Sequence, residues 1–151
     1  MQLQEIKPQF LIVMGGAGSG KNYFIESSPI YSKYKLIDID AIKGELGISA
    51  AITQIKPMLL QAFTNKEDVA HPTTGSNLKA QENKIEMAHE QGYSVTLVLV
   101  DTPIEQAIQN VRNRVRKGGH DVKLENIVST NKKARENFNV LSSLVDNSIV
   151  A

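Results

Sequence analysis

Six small residues followed by a lysine, Gly15-Gly16-Ala17-Gly18-Ser19-Gly20-Lys21, form the stretch of this chain best suited to chemistry. Side chains this small let backbone approach a ligand closely, and glycine reaches the positive-φ conformations that turn successive N–H groups to one side. Such a nest suits an oxyanion, and the lysine behind it adds a point charge. Phe10-Leu11-Ile12-Val13-Met14, just before it, is an unbroken apolar run that reads as a buried strand. Lys21 to Ser27 reads as a helix, stopped by Ser28-Pro29. Strand, Gly-x-x-x-x-Gly-Lys, helix is the context that a phosphate-binding P-loop requires, and the helix N-terminus contributes further N–H groups. Gly15, Gly16, Ala17, Gly18, Ser19, Gly20, Lys21 and Asn22 are therefore the candidate nucleotide-binding residues, with ATP and Mg²⁺ the implied cofactors. The motif usually continues with Ser or Thr, whose hydroxyl ligates the metal. Asn22 stands there instead and is the candidate metal ligand; its amide oxygen is a suitable donor on a longer arm, so the metal site is expected to be rearranged or weakened.

Two further groups carry charge in a suggestive pattern. Asp38 and Asp40 are two apart on a short strand-like run, Leu36 to Asp40, so they share a face. Asp40 falls at the carboxyl end, where open parallel sheets bind ligands. It could take the proton of an attacking hydroxyl or simply cap the helix that begins at Ala41; the spacing leaves both readings open. Arg112 and Arg116 are four apart on one helical face and could clamp a transferred phosphoryl group, although a solvated helix end explains them as well. Gly118-Gly119 ends that helix and permits a mobile lid. His71, His89 and His120 read as structural or capping residues, and no His/Asp/Glu cluster has the spacing of a protein-only metal site.

These residues must be held by alternating elements. Helical stretches are expected over 41–45 and over 50–63, the latter interrupted or restarted by Pro57. A weak strand follows at 68–71, then a helix capped by Ser76 or Asn77 and ended by Gly92. Tyr93 to Val100 is the strongest strand. Asp101-Thr102-Pro103 looks like a cap with Pro at the first helical position of a helix to about Lys117. A last helix over 123–137 and an irregular strand within 141–149 complete the chain. Strands alternating with helices imply a parallel sheet covered on both faces. The 151 residues suit one domain, with 41% hydrophobic and 22% charged content. Net charge of +1 gives no general attraction to nucleic acid or membrane. The absence of Cys excludes disulfides and thiolate metal sites and fits a cytoplasmic setting, and neither a targeting peptide nor a membrane span is legible.

With those residues in view, the chain resembles the zeta-toxin-like branch of small P-loop kinases, which is related to polynucleotide kinases. The likeness rests on the glycine loop, on Leu36-Ile37-Asp38-Ile39-Asp40-Ala41-Ile42-Lys43, and on Arg112-x-Arg114-Val115-x-x-Gly118-Gly119-His120-Asp121-Val122 with the later Asp146-Asn147-Ser148. It implies a P-loop NTPase α/β/α sandwich on five mostly parallel strands, and transfer of the ATP γ-phosphate to a hydroxyl. Under it Asp40 becomes the favoured base, Lys21 the phosphate lysine, and Arg112 and Arg116 lid or transition-state arginines. Asp38, Lys43, Ser76 and Asn77 face the acceptor. The acceptor class it implies is a small molecule or sugar nucleotide, with a nucleic-acid end as the alternative. The departures are Asn22, Gly75 where relatives often carry an acidic residue, and Val128 to Lys133 where they carry arginines. They leave a second reading, a nucleotide-binding module with impaired chemistry.

Overall fold

The computed structural model describes residues 6–39, 48–119 and 121–151, and for 48–52 the backbone alone. Strand β1 (Gln9–Met14) leads through the glycine loop into helix α1 (Lys21–Ser27). After a 3₁₀ turn come β2 (Lys35–Leu36), α2 (Ile48–Thr64), β3 (Val69–Thr73), α3 (Leu78–Glu90) and β4 (Ser94–Leu99). Helices α4 (Ile104–Arg116) and α5 (Leu124–Leu141), a second 3₁₀ turn and β5 (Asn147–Val150) follow. The strands form one five-stranded sheet in the order β2-β3-β1-β4-β5, and every pairing is parallel. This is the α/β fold expected from the alternation of elements.

The central strand supplies core to both faces because its residues alternate in direction. Phe10, Ile12 and Met14 pack with Leu59, Phe63, Ile85, Leu97 and Phe138, from α2, α3, β4 and α5. Leu11 and Val13 pack on the other face with Ile25 of α1, Ala70 and Val98. A third cluster, Ala107, Val111 and Ile127, joins α4 to α5 beside Ala17 of the loop. Phe10 meets Phe63 edge-on at 5.0 Å between ring centres, and Phe63 meets Tyr93 at 4.6 Å. The Tyr93 hydroxyl donates to the Glu67 carbonyl at 2.7 Å; burial pushes its pKa up to about 12.

Several boundaries differ from the sequence reading, each for a local reason. β2 is shorter than the run Leu36 to Asp40. Its ladder with β3 reaches the Ile37 N–H, which donates to the Ala70 carbonyl at 2.9 Å. In a parallel ladder the Ile37 carbonyl would next accept from the N–H of residue 72, but Pro72 has none. The ring of His71 takes over, with Nδ1 2.7 Å from that carbonyl. β3 correspondingly starts one residue later than expected and runs on to Thr73. Pro57 does not break α2, which runs through it with Ile55, Leu59, Ala62 and Phe63 buried along one side. Pro103 sits at the N-cap position of α4 rather than inside the helix. Asp101 and Thr102 are drawn off to other partners: Asp101 pairs with Arg135 at 2.6 Å, and Thr102 donates to the Ser19 carbonyl at 2.6 Å. Asn77 caps α3, accepting from the Ala80 N–H at 3.0 Å. The expected helix over 41–45 lies outside the described residues.

Candidate phosphate-binding and acceptor site

The glycine loop is clasped from outside by its carbonyl oxygens. Lys21 Nζ donates to the carbonyls of Gly15 and Gly16 at 2.9 and 3.2 Å. Asn131 donates to the Ala17 carbonyl at 3.2 Å, Asn110 to that of Gly18 at 2.8 Å, and Thr102 to that of Ser19. Among the described residues the Ala17 N–H donates to Thr130 Oγ1 at 3.1 Å, and the N–H groups of Gly15 and Ser19 donate to the carbonyls of Thr73 and Gly16 at 3.3 and 3.1 Å. Among the described residues the N–H groups of Gly16, Gly18 and Gly20 have no acceptor, and the buried Ser19 hydroxyl has no partner. Fixed carbonyls, open amides and an orphaned hydroxyl are the arrangement that a bound phosphate completes.

Two of the glycines are dictated by this packing. At Gly16 a Cβ would strike both the side chain and the backbone nitrogen of Asn131. Gly18 adopts φ +74, and a Cβ there would strike the Ala107 carbonyl.

The loop opens into a cavity of about 1220 Å³. Gly18 to Lys21, Asn22 and Asp38 form one end of its wall, and Thr73, Thr74, Ser76 and Asn77 carry it along the carboxyl end of β3. Asn22 donates its amide to Asp38 at 3.2 Å, which leaves the amide oxygen of Asn22 available. Asp38 is buried and Asn22 exposed. Asn22 Oδ1 and a carboxylate are hard oxygen donors of the kind Mg²⁺ takes alongside phosphate oxygens. Among the described residues no three His, Asp or Glu side chains come together as a self-sufficient metal site.

Ser76 and Asn77 line the cavity, although the Asn77 side-chain oxygen is committed to the helix cap. Asp40, Lys43 and His120 lie outside the described residues. Arg112 and Arg116 are both exposed and absent from the cavity wall, whereas Arg114 is part of it. The reason is helical phase. Ala107, Asn110 and Val111 turn toward the glycine loop, and Arg114 follows them at the same face. Arg112 and Arg116 stand about 200° of helical rotation from Arg114. Gly119, whose own Cβ would strike the stem of Arg114, packs over that side chain. The same facing pattern on α5 brings Thr130 and Asn131 to the loop, residues the sequence reading did not single out. His89 is structural: it bonds Asp146 at 2.9 Å, and Asp146 accepts the Val95 N–H at 2.8 Å, fastening the chain ahead of β5 to β4.

A parallel five-stranded sheet with this loop between its central strand and first helix defines a P-loop kinase fold. The structure of the PezAT toxin–antitoxin system of Streptococcus pneumoniae aligns with 97% of this chain and 67% of its own at a TM-score of 0.78 and 14% identity. A chain of the Pnkp1/Rnl/Hen1 RNA repair complex aligns over 91% of this one at a TM-score of 0.74 and 17% identity, and this chain spans 47% of its length. A gluconokinase from Sinorhizobium meliloti aligns over 94% of this chain and 81% of its own at 0.55 and 18% identity. At these identities the likeness is one of fold. No curated protein sequence matches the chain significantly. The zeta toxin family model matches residues 47–150, and the chain belongs to that family. The match begins beyond the glycine loop and β2.

Proposed function

We propose that the chain transfers the γ-phosphate of ATP to a hydroxyl acceptor held in the cavity. The observation that carries this is the clasped loop: every carbonyl from Gly15 to Ser19 is bonded, while amides and Lys21 are turned to a cavity large enough for a second substrate. The open amides and Ser19 bind the phosphates, and Lys21 exchanges its two carbonyl contacts for phosphate oxygens. Asp40 accepts the proton of the acceptor hydroxyl as its oxygen bonds to phosphorus; the bond from phosphorus to the bridging oxygen breaks and ADP leaves. Arg114, rather than Arg112 or Arg116, meets the charge that develops on the phosphoryl group. Mg²⁺, when bound, offsets charge on the β and γ oxygens, and Asn22 Oδ1 and Asp38 are the residues that would hold it. Small hydroxyl compounds or sugar nucleotides are the acceptors this cavity favours; among its described lining residues Tyr23 is the one aromatic side chain, which does not make the row of stacking platforms a single-strand binder uses.

Asn22 sustains a second reading, a nucleotide-binding module with impaired transfer. Calorimetry with a non-hydrolysable ATP analogue, with and without Mg²⁺, separates the two. Clear binding that Mg²⁺ strengthens in the wild-type chain supports the kinase. Binding indifferent to Mg²⁺, with dependence restored by Asn22→Ser, supports the module, and no binding at all sinks both. Once an acceptor is found, Asp40→Asn is expected to abolish transfer while sparing ATP affinity; transfer at the wild-type rate would remove Asp40 from the base role.

A further inference from the structure

Lys84, on α3, belongs to the wall of the same cavity. Its ammonium lies 2.9 Å from His71 Nε2 and 3.3 Å from Gln81 Oε1. The tautomer of His71 follows from its other bond: the Ile37 carbonyl can only accept, so Nδ1 carries the hydrogen and Nε2 presents a lone pair. Both partners of Lys84 are therefore neutral. The imidazole stays so, because burial, and then the lysine charge beside it, lower its pKa to about 3. Among the described residues no carboxylate pairs with Lys84. Desolvation draws its own pKa down to about 8, and it remains largely charged at neutral pH.

A partly buried ammonium without a counter-charge is costly, and its cost falls once an anion reaches it. An ammonium has three donors, and two of them are spent on uncharged acceptors that fix its position. Lys56, also in the wall, is exposed and solvated and needs no such partner. The apolar Ile55, Leu59 and Met87 share the cavity with Lys84 and strengthen any charge interaction made there.

We infer that Lys84, braced by His71 and Gln81, selects a hydroxyl acceptor that also carries an anionic group, a carboxylate or a phosphate, and binds that group directly. The inference rests on the cavity being the acceptor site of the proposed transfer.

The test uses the full chain saturated with a non-hydrolysable ATP analogue and Mg²⁺, so that added anions cannot occupy the glycine loop. Glycerol, glycerate and glycerol 3-phosphate are then titrated against the wild type and Lys84→Met. At least one anion is expected to bind the wild type tenfold or more tighter than glycerol, and the better of the two identifies carboxylate or phosphate as the preferred group. Lys84→Met is expected to erase the preference and leave affinity for the ATP analogue unchanged. Lys84→Gln serves in its place should the methionine variant not fold. Equal binding of glycerol and both anions by the wild type overturns the inference, as does a preference that survives loss of the lysine. Failure of the ATP analogue to bind the wild type instead overturns the proposed function, and the two failures are separately visible.

Discussion

Arg114 and its neighbours show how much one residue of helical phase decides. Arg112, Arg114 and Arg116 are equivalent as letters, yet only Arg114 reaches the cavity. Arg114→Met is expected to lower the transfer rate by ten- to a hundredfold, whereas Arg112→Met and Arg116→Met change it less than threefold; steady-state kinetics on the three variants checks this ordering. Ala107 and Val111 mark the inward face of α4 and Arg114 continues it, whereas charge spacing alone singles out the pair Arg112 and Arg116. His71 gives a second prediction at this scale. In the unfolded chain its imidazole takes a proton below about pH 6.5, while in the folded chain it resists until about 3. Stability is therefore complete above that upper value and lost progressively as pH falls toward the lower one. Urea unfolding across that range is expected to show the loss, and His71→Gln to flatten it even though the variant starts less stable.

At the scale of elements, β1, the glycine loop and α1 were legible because each follows from a local pattern: an apolar run, consecutive small residues, a helix opening at lysine. The clasp around the loop was not legible. Asn110, Thr130 and Asn131 are ordinary polar residues on helices, and nothing in their own neighbourhood reports a partner about a hundred positions away. β2 was overestimated because the missing N–H of Pro72 acts across the sheet on a different strand. The clasp makes its own prediction. Gly16→Ala is expected to weaken binding of the ATP analogue at least tenfold by calorimetry. Adding Asn131→Ala is not expected to restore it, because the new methyl meets the backbone nitrogen of residue 131 as well as its side chain.

For the whole molecule, the parallel order was implied by alternating strands and helices, but which strand stands centrally was not. β1 is that strand, and Phe10 on it is fully buried at the junction of α2 and β4. Phe10→Ala is expected to cost about 3–5 kcal/mol of stability, enough to unfold a marginal domain on warming, as thermal denaturation would show. No described helix is long and apolar enough to cross a membrane. The clasp also has a consequence for synthesis. The glycine loop is synthesised well before α5, yet one of its hydrogen bonds comes from Asn131, 114 positions later than Ala17. A nascent chain halted before α5 carries the whole glycine signature and still lacks the Thr130 and Asn131 bonds to it, so nucleotide affinity is expected to follow the docking of α5 rather than the presence of the motif.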